Sequence, residues 1–208
     1  TQHLRVERQP AYSATHLQPM VQHPHHATSH EPAIDLLVTT FIAADEDEIS
    51  FQRALMQRQL MEVAKTMNNS FVTKHLFAVC KHGAMLEGDD IIYLDCVEDY
   101  KYLYSKTFAY WTTISSLVDA KFYSKRDTDA FICWIPVIRR LQRTRRSAVP
   151  IYAGGATFNS PVMQDPGDRW HDEILAALAP AQQTYWPYTQ GAFYLLSNDL
   201  VDVLSAVK

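Results

Sequence analysis

No apolar run in this 208-residue chain approaches the roughly 20 residues that a membrane-spanning helix needs, and neither a signal peptide nor an initiator methionine heads it. The chain reads as a piece of something longer. Cysteine is scarce. Cys80, Cys96 and Cys133 are too few and too scattered for a disulfide scaffold or a zinc site. All three stand in apolar runs, so buried free thiols are expected, with one oxidised pair as the alternative in a secretory compartment. Excess positive charge is lacking too. A net charge of -4 argues against a nucleic-acid partner. Glycine numbers only six, and none lies between Thr39 and Glu48, after the first strand-like run. A nucleotidyltransferase would carry a glycine-rich phosphate loop there. No internal repeat is visible.

What is present is ordinary for a globular domain: 47% apolar and 20% charged residues, in a length that can bury a real core. Residues 1–31 stand apart. They hold six of the nine histidines, many prolines and no apolar period, and read as a disordered or stem-like arm. Metal binding by His23, His25 and His26 would be adventitious, because such tracts lack packed supporting groups. The folded domain is expected over residues 32–208.

Ile34 to Ala44 is a near-continuous apolar run, the pattern of a strand buried on both faces. An acidic turn, Asp45 to Glu48, leads to a helix over Ser50–Met67 with Ser50 as its N-cap. Strands follow at Val72–Cys80 and Asp90–Asp95. A helix spans Tyr100–Val118, with Leu103, Phe108, Trp111, Ile114, Leu117 and Val118 as its apolar side. A fourth strand begins at Lys121. Pro136 suits the first turn of a helix to about Arg143. Val149–Ala153 and Phe193–Ser197 complete the strands, Gly154-Gly155 marks a turn or a close backbone approach, and Ser197 or Asn198 caps a last helix to Val207. Strands alternating with helices imply an α/β domain with a mostly parallel sheet. The arginines at positions 139, 140, 143, 145 and 146 read as a charged outer face, with anion binding as the alternative.

The run Lys121 to Phe131 ends in Asp127 and Asp129. In extended backbone, residues i and i+2 project to the same side, so the two carboxylates would converge at a strand end. Two hard oxygen donors leave positions on Mg²⁺ or Mn²⁺ for diphosphate oxygens. The competing reading is a loop in which the carboxylates cap backbone N–H groups.

Three stretches, in order, resemble the β-1,3-galactosyltransferase and N-acetylglucosaminyltransferase family of inverting glycosyltransferases, which have the GT-A fold. The first is Asp90-Ile91-Ile92-x-x-Asp95-x-x-x-Asp99-Tyr100-x-x-Leu103-x-x-Lys106-Thr107. The second is Ala120-Lys121-Phe122-x-x-Lys125-x-Asp127-x-Asp129-x-Phe131, similar to the family's DxD metal motif and the lysine before it. The third, Tyr185-Trp186-Pro187-Tyr188-x-x-Gly191-x-x-Tyr194-x-x-Ser197-x-Asp199-Leu200, resembles the tyrosines and glycine turn under the donor sugar. The sequence departs from the pattern at Thr128, where the family commonly has Asp. Arg53 and Arg58 stand near an arginine signature with spacing altered by one residue.

The resemblance implies a UDP-sugar donor, a Mn²⁺ or Mg²⁺ ion on Asp127 and Asp129, and a glycan or glycoconjugate acceptor. Galactose or N-acetylglucosamine would move by direct displacement, with the general base expected beyond Lys208. It also implies the Golgi lumen, with a membrane anchor outside these residues. The alternative is an inactive or fragmentary relative that binds the donor or a partner without transfer. Donor contacts are expected from Arg53, Asp95, Lys106, Lys125, Asp127, Tyr188 and Gly191. Each has a plainer reading: Asp95 caps a helix, Lys106 is solvated, and Tyr185 and Tyr188 are core aromatics. Lys125 is expected on the strand face opposite the aspartates, contacting phosphate or pairing with a carboxylate. Trp170, after Asp168 and Arg169, and His171 are read as structural. The sugar, the acceptor and the oligomeric state are not legible.

Overall fold

The computed structural model describes residues 34–68, 70–81, 86–99, 102–144, 149–168 and 171–206. The histidine-rich arm, Arg145, Arg146, Arg169 and Trp170 lie outside them. Among the described residues, six strands form one sheet in the order β3-β2-β1-β4-β6-β5. They are β1 Ile34–Phe41, β2 Thr73–Cys80, β3 Ile91–Leu94, β4 Ala120–Asp127, β5 Tyr152–Thr157 and β6 Tyr188–Ser197. The first four are parallel, and β6 runs antiparallel to both β4 and β5. Among the described residues, five helices accompany them: α1 Glu46–Thr66, α2 Leu103–Leu117, α3 Trp134–Thr144, α4 Glu173–Leu178 and α5 Asn198–Ser205. The expected α/β architecture with a mostly parallel sheet is present. Among the described residues, no helix is long and apolar enough to cross a membrane.

Alternation along β1 divides the core. Leu37 and Phe41 join Tyr110, Trp111, Ile114 and Val201 from α2 and α5 on one face. Leu36 and Val38 join Met56, Val63, Ile138 and Leu141 from α1 and α3 on the other. A strand with both faces covered must be apolar throughout, which is why the sequence of β1 shows no alternation. Each such side chain contributes roughly 1.5–3 kcal/mol on full burial.

Several boundaries differ from expectation for local reasons. Helix α1 starts one turn early, because Asp45 rather than Ser50 caps it: Oδ1 of Asp45 accepts from the Glu48 amide at 2.8 Å. The acidic residues of the first turn then face the positive end of the helix dipole. On α2 the buried side is Lys106, Tyr110, Trp111 and Ile114, while Phe108 and Leu117 are exposed. Tyr110 and Lys106 win burial because each finds polar partners there; the Tyr110 hydroxyl donates to Thr39 Oγ1 at 2.8 Å. Gly154 and Gly155 lie within β5 rather than in a turn. A Cβ on Gly154 would stand 2.9 Å from the Phe193 carbonyl oxygen and 2.9 Å from Tyr194 Cβ, so the close backbone approach is real. Helix α4 was not anticipated.

The cysteines also depart from expectation. Cys80 and Cys96 form a disulfide that joins the end of β2 to the loop after β3, and Cys133 is an exposed free thiol. The two partners are buried, as their apolar surroundings suggested, but they are oxidised.

Candidate functional site

Strand order places the crevice. From β1 the chain crosses by α1 to β2 on one side of it, whereas β4 lies on the other side. Open α/β sheets take ligands at such a switch, outside the carboxyl ends of the strands. The two carboxyl ends that meet there are Phe41 of β1 and Asp127 of β4, which are register partners.

Asp127 is half-buried and ends β4, while Asp129 is exposed and sits in the turn that follows. That turn closes through the Ala130 amide, which donates to the Asp127 carbonyl at 3.2 Å. Extended backbone therefore stops at Asp127, and it is a turn, not strand alternation, that carries Asp129. As for a divalent ion, the oxygen chemistry of the two carboxylates fits one that brings further ligands of its own. Among the described residues, no group of three or more His, Cys, Asp or Glu side chains could enclose a metal unaided.

Lys125 corrects the expected orientation. It shares a face with Asp127, as residues two apart on a strand must, and its ammonium donates to the Asp127 carboxylate. The same ammonium donates to the carbonyl of Gly191 and lies 5.2 Å from the centre of the Phe41 ring. Lys125 is 1% exposed. Its stem lies on an aromatic face and its tip meets two oxygen acceptors, which satisfies its donors away from water.

Lys106 enters from α2 and lies 5.8 Å over the same ring of Phe41. It is 3% exposed, which overturns the solvated reading. Its ammonium donates to both Glu98 carboxylate oxygens and to the Ile42 carbonyl, each at 2.8 Å. Burial pushes this lysine below its ordinary pKa, and Glu98 opposes that shift. Glu98 also accepts from the Cys80 amide at 3.3 Å, so the disulfide, the loop after β3 and Lys106 form one connected block.

Arg126 points the other way, toward α1. It is 1% exposed, and its guanidinium donates to the carbonyls of Thr128 and Ala130 at 3.1 and 3.2 Å and to that of Asp127 at 3.2 Å. Burial pulls its pKa down, and the charges of Asp127 and Asp129 pull it back up.

The remaining expected contacts are dispersed over several elements. Asp95 is exposed just after β3, and it does not cap α2, whose N-cap is Tyr102. Arg53 is committed to Asp90 by a two-pronged ion pair at 2.7 and 2.8 Å, 5.7 Å over the Phe77 ring. Tyr188 opens β6, exposed rather than in the core, and meets Tyr185 edge-on with ring centres 5.9 Å apart. Tyr185 is held by Asp172, which accepts its hydroxyl at 3.1 Å. Gly191 is exposed; a Cβ there would meet Lys125 Nζ at 3.9 Å, an ordinary contact. His171 is half-buried, with Nδ1 3.1 Å from the Met163 carbonyl. Arg139, Arg140 and Arg143 form an exposed outer face of α3. Sequence reasoning missed Glu98, Gln52 and Arg126, whose partners are distant in the chain or lie in loops without a period.

The galactosyltransferase family model matches residues 72–208. The chain is 31% identical to "Probable beta-1,3-galactosyltransferase 13" of Arabidopsis thaliana, over 58% of this chain and 34% of that protein. It is 30% identical to "Probable beta-1,3-galactosyltransferase 4" of the same plant, over 60% of this chain and 29% of that protein. "UDP-GalNAc:beta-1,3-N-acetylgalactosaminyltransferase 2" of Xenopus laevis is 27% identical, over 64% of this chain and 27% of that protein. The matched region thus spans about a third of the length of these relatives.

Proposed function

The chain belongs to the galactosyltransferase family, and from that premise we propose that it moves galactose or N-acetylglucosamine from a UDP-sugar to a glycan hydroxyl. The linkage formed would be β-1,3, with inversion at the anomeric carbon. The observation that carries this reading is the position of Asp127 at the switch point, with Asp129 in the adjoining turn and two buried ammonium groups beside Phe41.

Asp127 and Asp129 would hold a Mn²⁺ or Mg²⁺ ion. Such an ion supplies stabilisation of the negative charge that gathers on the departing diphosphate. Lys125 adds positive charge at the same edge and ties β4 to β6 through Gly191. Gly191 and Tyr188 leave open backbone and an exposed ring where the donor sugar would rest. Asp95, just after β3, is offered to the uridine, whereas Arg53 is tied to Asp90 immediately before β3 and supports that strand. The Cys80–Cys96 disulfide suits an oxidising lumen, which supports a Golgi location.

Calorimetry of UDP with and without Mn²⁺, on the parent and on Asp129→Ala, tests the site. Tighter binding with Mn²⁺, lost in the variant, is expected. Metal-independent binding that ignores the substitution would refute it. The non-catalytic alternative draws on Thr128 and on the engagement of Asp127 by Lys125. Sugar transfer from UDP-galactose or UDP-N-acetylglucosamine to a β-linked disaccharide separates the two.

A further inference from the structure

Arg126 and Gln52 are buried polar side chains, 1% and 3% exposed, for which the transfer chemistry above has no use. Both end on the backbone of the aspartate turn. Besides the three carbonyls it reaches, the Arg126 guanidinium donates to Gln52 Oε1 at 3.2 Å and lies 2.7 Å from Met56 Sδ. Gln52 Nε2 donates to the Thr128 carbonyl at 3.0 Å and to Glu48 Oε1 at 3.0 Å. Packing alone would be served by an apolar residue at position 126, since burying a guanidinium is costly. No carboxylate pairs directly with Arg126 among the described residues; the charges that offset its burial are those of Asp127 and Asp129, acting through space.

The fork geometry gives this cost a purpose. Three turn carbonyls aimed inward at one planar cation fix the peptide planes from Asp127 to Ala130. Fixed peptide planes fix the Cα–Cβ directions of Asp127 and Asp129, from which the carboxylates reach outward by their own rotamers. Helix α1 supplies the outer wall through Gln52 and Met56, so the turn is held from the face opposite to Lys125.

We propose that Arg126, supported by Gln52, is a positioning residue that orients both carboxylates toward one divalent cation. This rests on the metal reading given above. The sign of the effect is not trivial. A positive charge near a metal site weakens metal binding, so a pure charge effect and a positioning effect predict opposite outcomes on removal.

The test measures Mn²⁺ affinity by electron paramagnetic resonance in the presence of UDP, on the full chain and on Arg126→Lys and Arg126→Met. Positioning predicts that both variants weaken Mn²⁺ binding by about tenfold or more, even though lysine keeps the charge. The Ala130 amide should also exchange faster. Parent-like affinity in Arg126→Lys together with tighter binding in Arg126→Met would overturn the proposal. Gln52→Met is the milder variant should the Arg126 variants not fold. It should weaken Mn²⁺ binding several-fold, and unchanged affinity would count against the proposal. Asp129→Ala run alongside separates the two claims. If it leaves Mn²⁺ affinity unchanged, the metal reading itself is lost and this inference with it. If it weakens Mn²⁺ while the Arg126 and Gln52 variants do not, only the positioning role is refuted.

Discussion

The ammonium of Lys125 and the carboxylate of Asp127 form an ion pair on one face of β4, at the point where β1 and β4 end together. The two partners are unequally buried: the lysine side chain is 2% exposed and the aspartate 33%. Truncating the exposed member strands the buried charge, which is the expensive half of such a pair. Asp127→Ala should therefore destabilise the fold by roughly 2–4 kcal/mol, and Lys125→Met by about half as much. Urea denaturation of both variants measures this. Equal losses would show that burial does not set the asymmetry.

Lys106 and Glu98 repeat that logic farther along the edge. Glu98→Ala leaves a buried ammonium with the Ile42 carbonyl as its remaining acceptor and should cost roughly 2–4 kcal/mol. Lys106→Met, which replaces the cation by an apolar side chain of similar length, should cost less. Chemical denaturation at neutral pH would show the order.

The disulfide joins Cys80 to Cys96 across a sequence separation of 16. Its removal by Cys80→Ala with Cys96→Ala should lower stability by about 3 kcal/mol, from the loop entropy regained by the unfolded chain. The same loss should appear on adding reductant to the parent and not to the double variant.

His75 carries a pH dependence. Burial, helped by the charge of Arg126, depresses its pKa to about 3 from 6.5. Between those values the unfolded chain binds a proton that the folded one refuses. Stability from this group is complete above pH 6.5 and falls as the pH drops toward 3. The slope should reach at most about 1.4 kcal/mol per pH unit, and less in proportion to the ring's remaining exposure. Denaturant midpoints from pH 7 to pH 4 should be flatter in His75→Leu than in the parent.

Two glycines should behave in opposite ways. Gly154→Ala meets the backbone and side chains of β6 within 3.0 Å and should cost roughly 1–3 kcal/mol. Gly191→Ala meets no backbone, so melting should stay near the parent value while UDP-sugar binding weakens.

The first strands of the parallel sheet were legible because they are short apolar runs bounded by turn residues, and β1 is buried along almost its whole length. The carboxylate pair drew attention by its spacing, and Lys106 and Gly191 entered only through the family resemblance. What escaped depended on partners far away in the chain. Tyr110 and Lys106 displaced Phe108 and Leu117 from the buried side of α2 because Thr39, Glu98 and the Ile42 carbonyl receive them. No periodicity of α2 contains that information. Gln52 reaches Thr128 across 76 positions, and Arg126 looks like a surface residue until α1 covers it. The face of Lys125 was legible from strand alternation alone and was misassigned. The helix α4, six residues reading EILAAL, is too short to show a helical period and starts at the Asp172 cap.

The rings of Phe41, Tyr110, Trp111, Tyr194 and Tyr152 stand in a row, with successive centres 5.2, 4.7, 5.7 and 5.9 Å apart. Chromophores held this near one another in a chiral setting give strong circular dichroism in the near ultraviolet, and that signal vanishes when side-chain packing melts even if helices and strands persist. The row crosses the sheet from the crevice to the outer strand. A single spectrum can therefore tell a locally altered crevice from a core that has come loose.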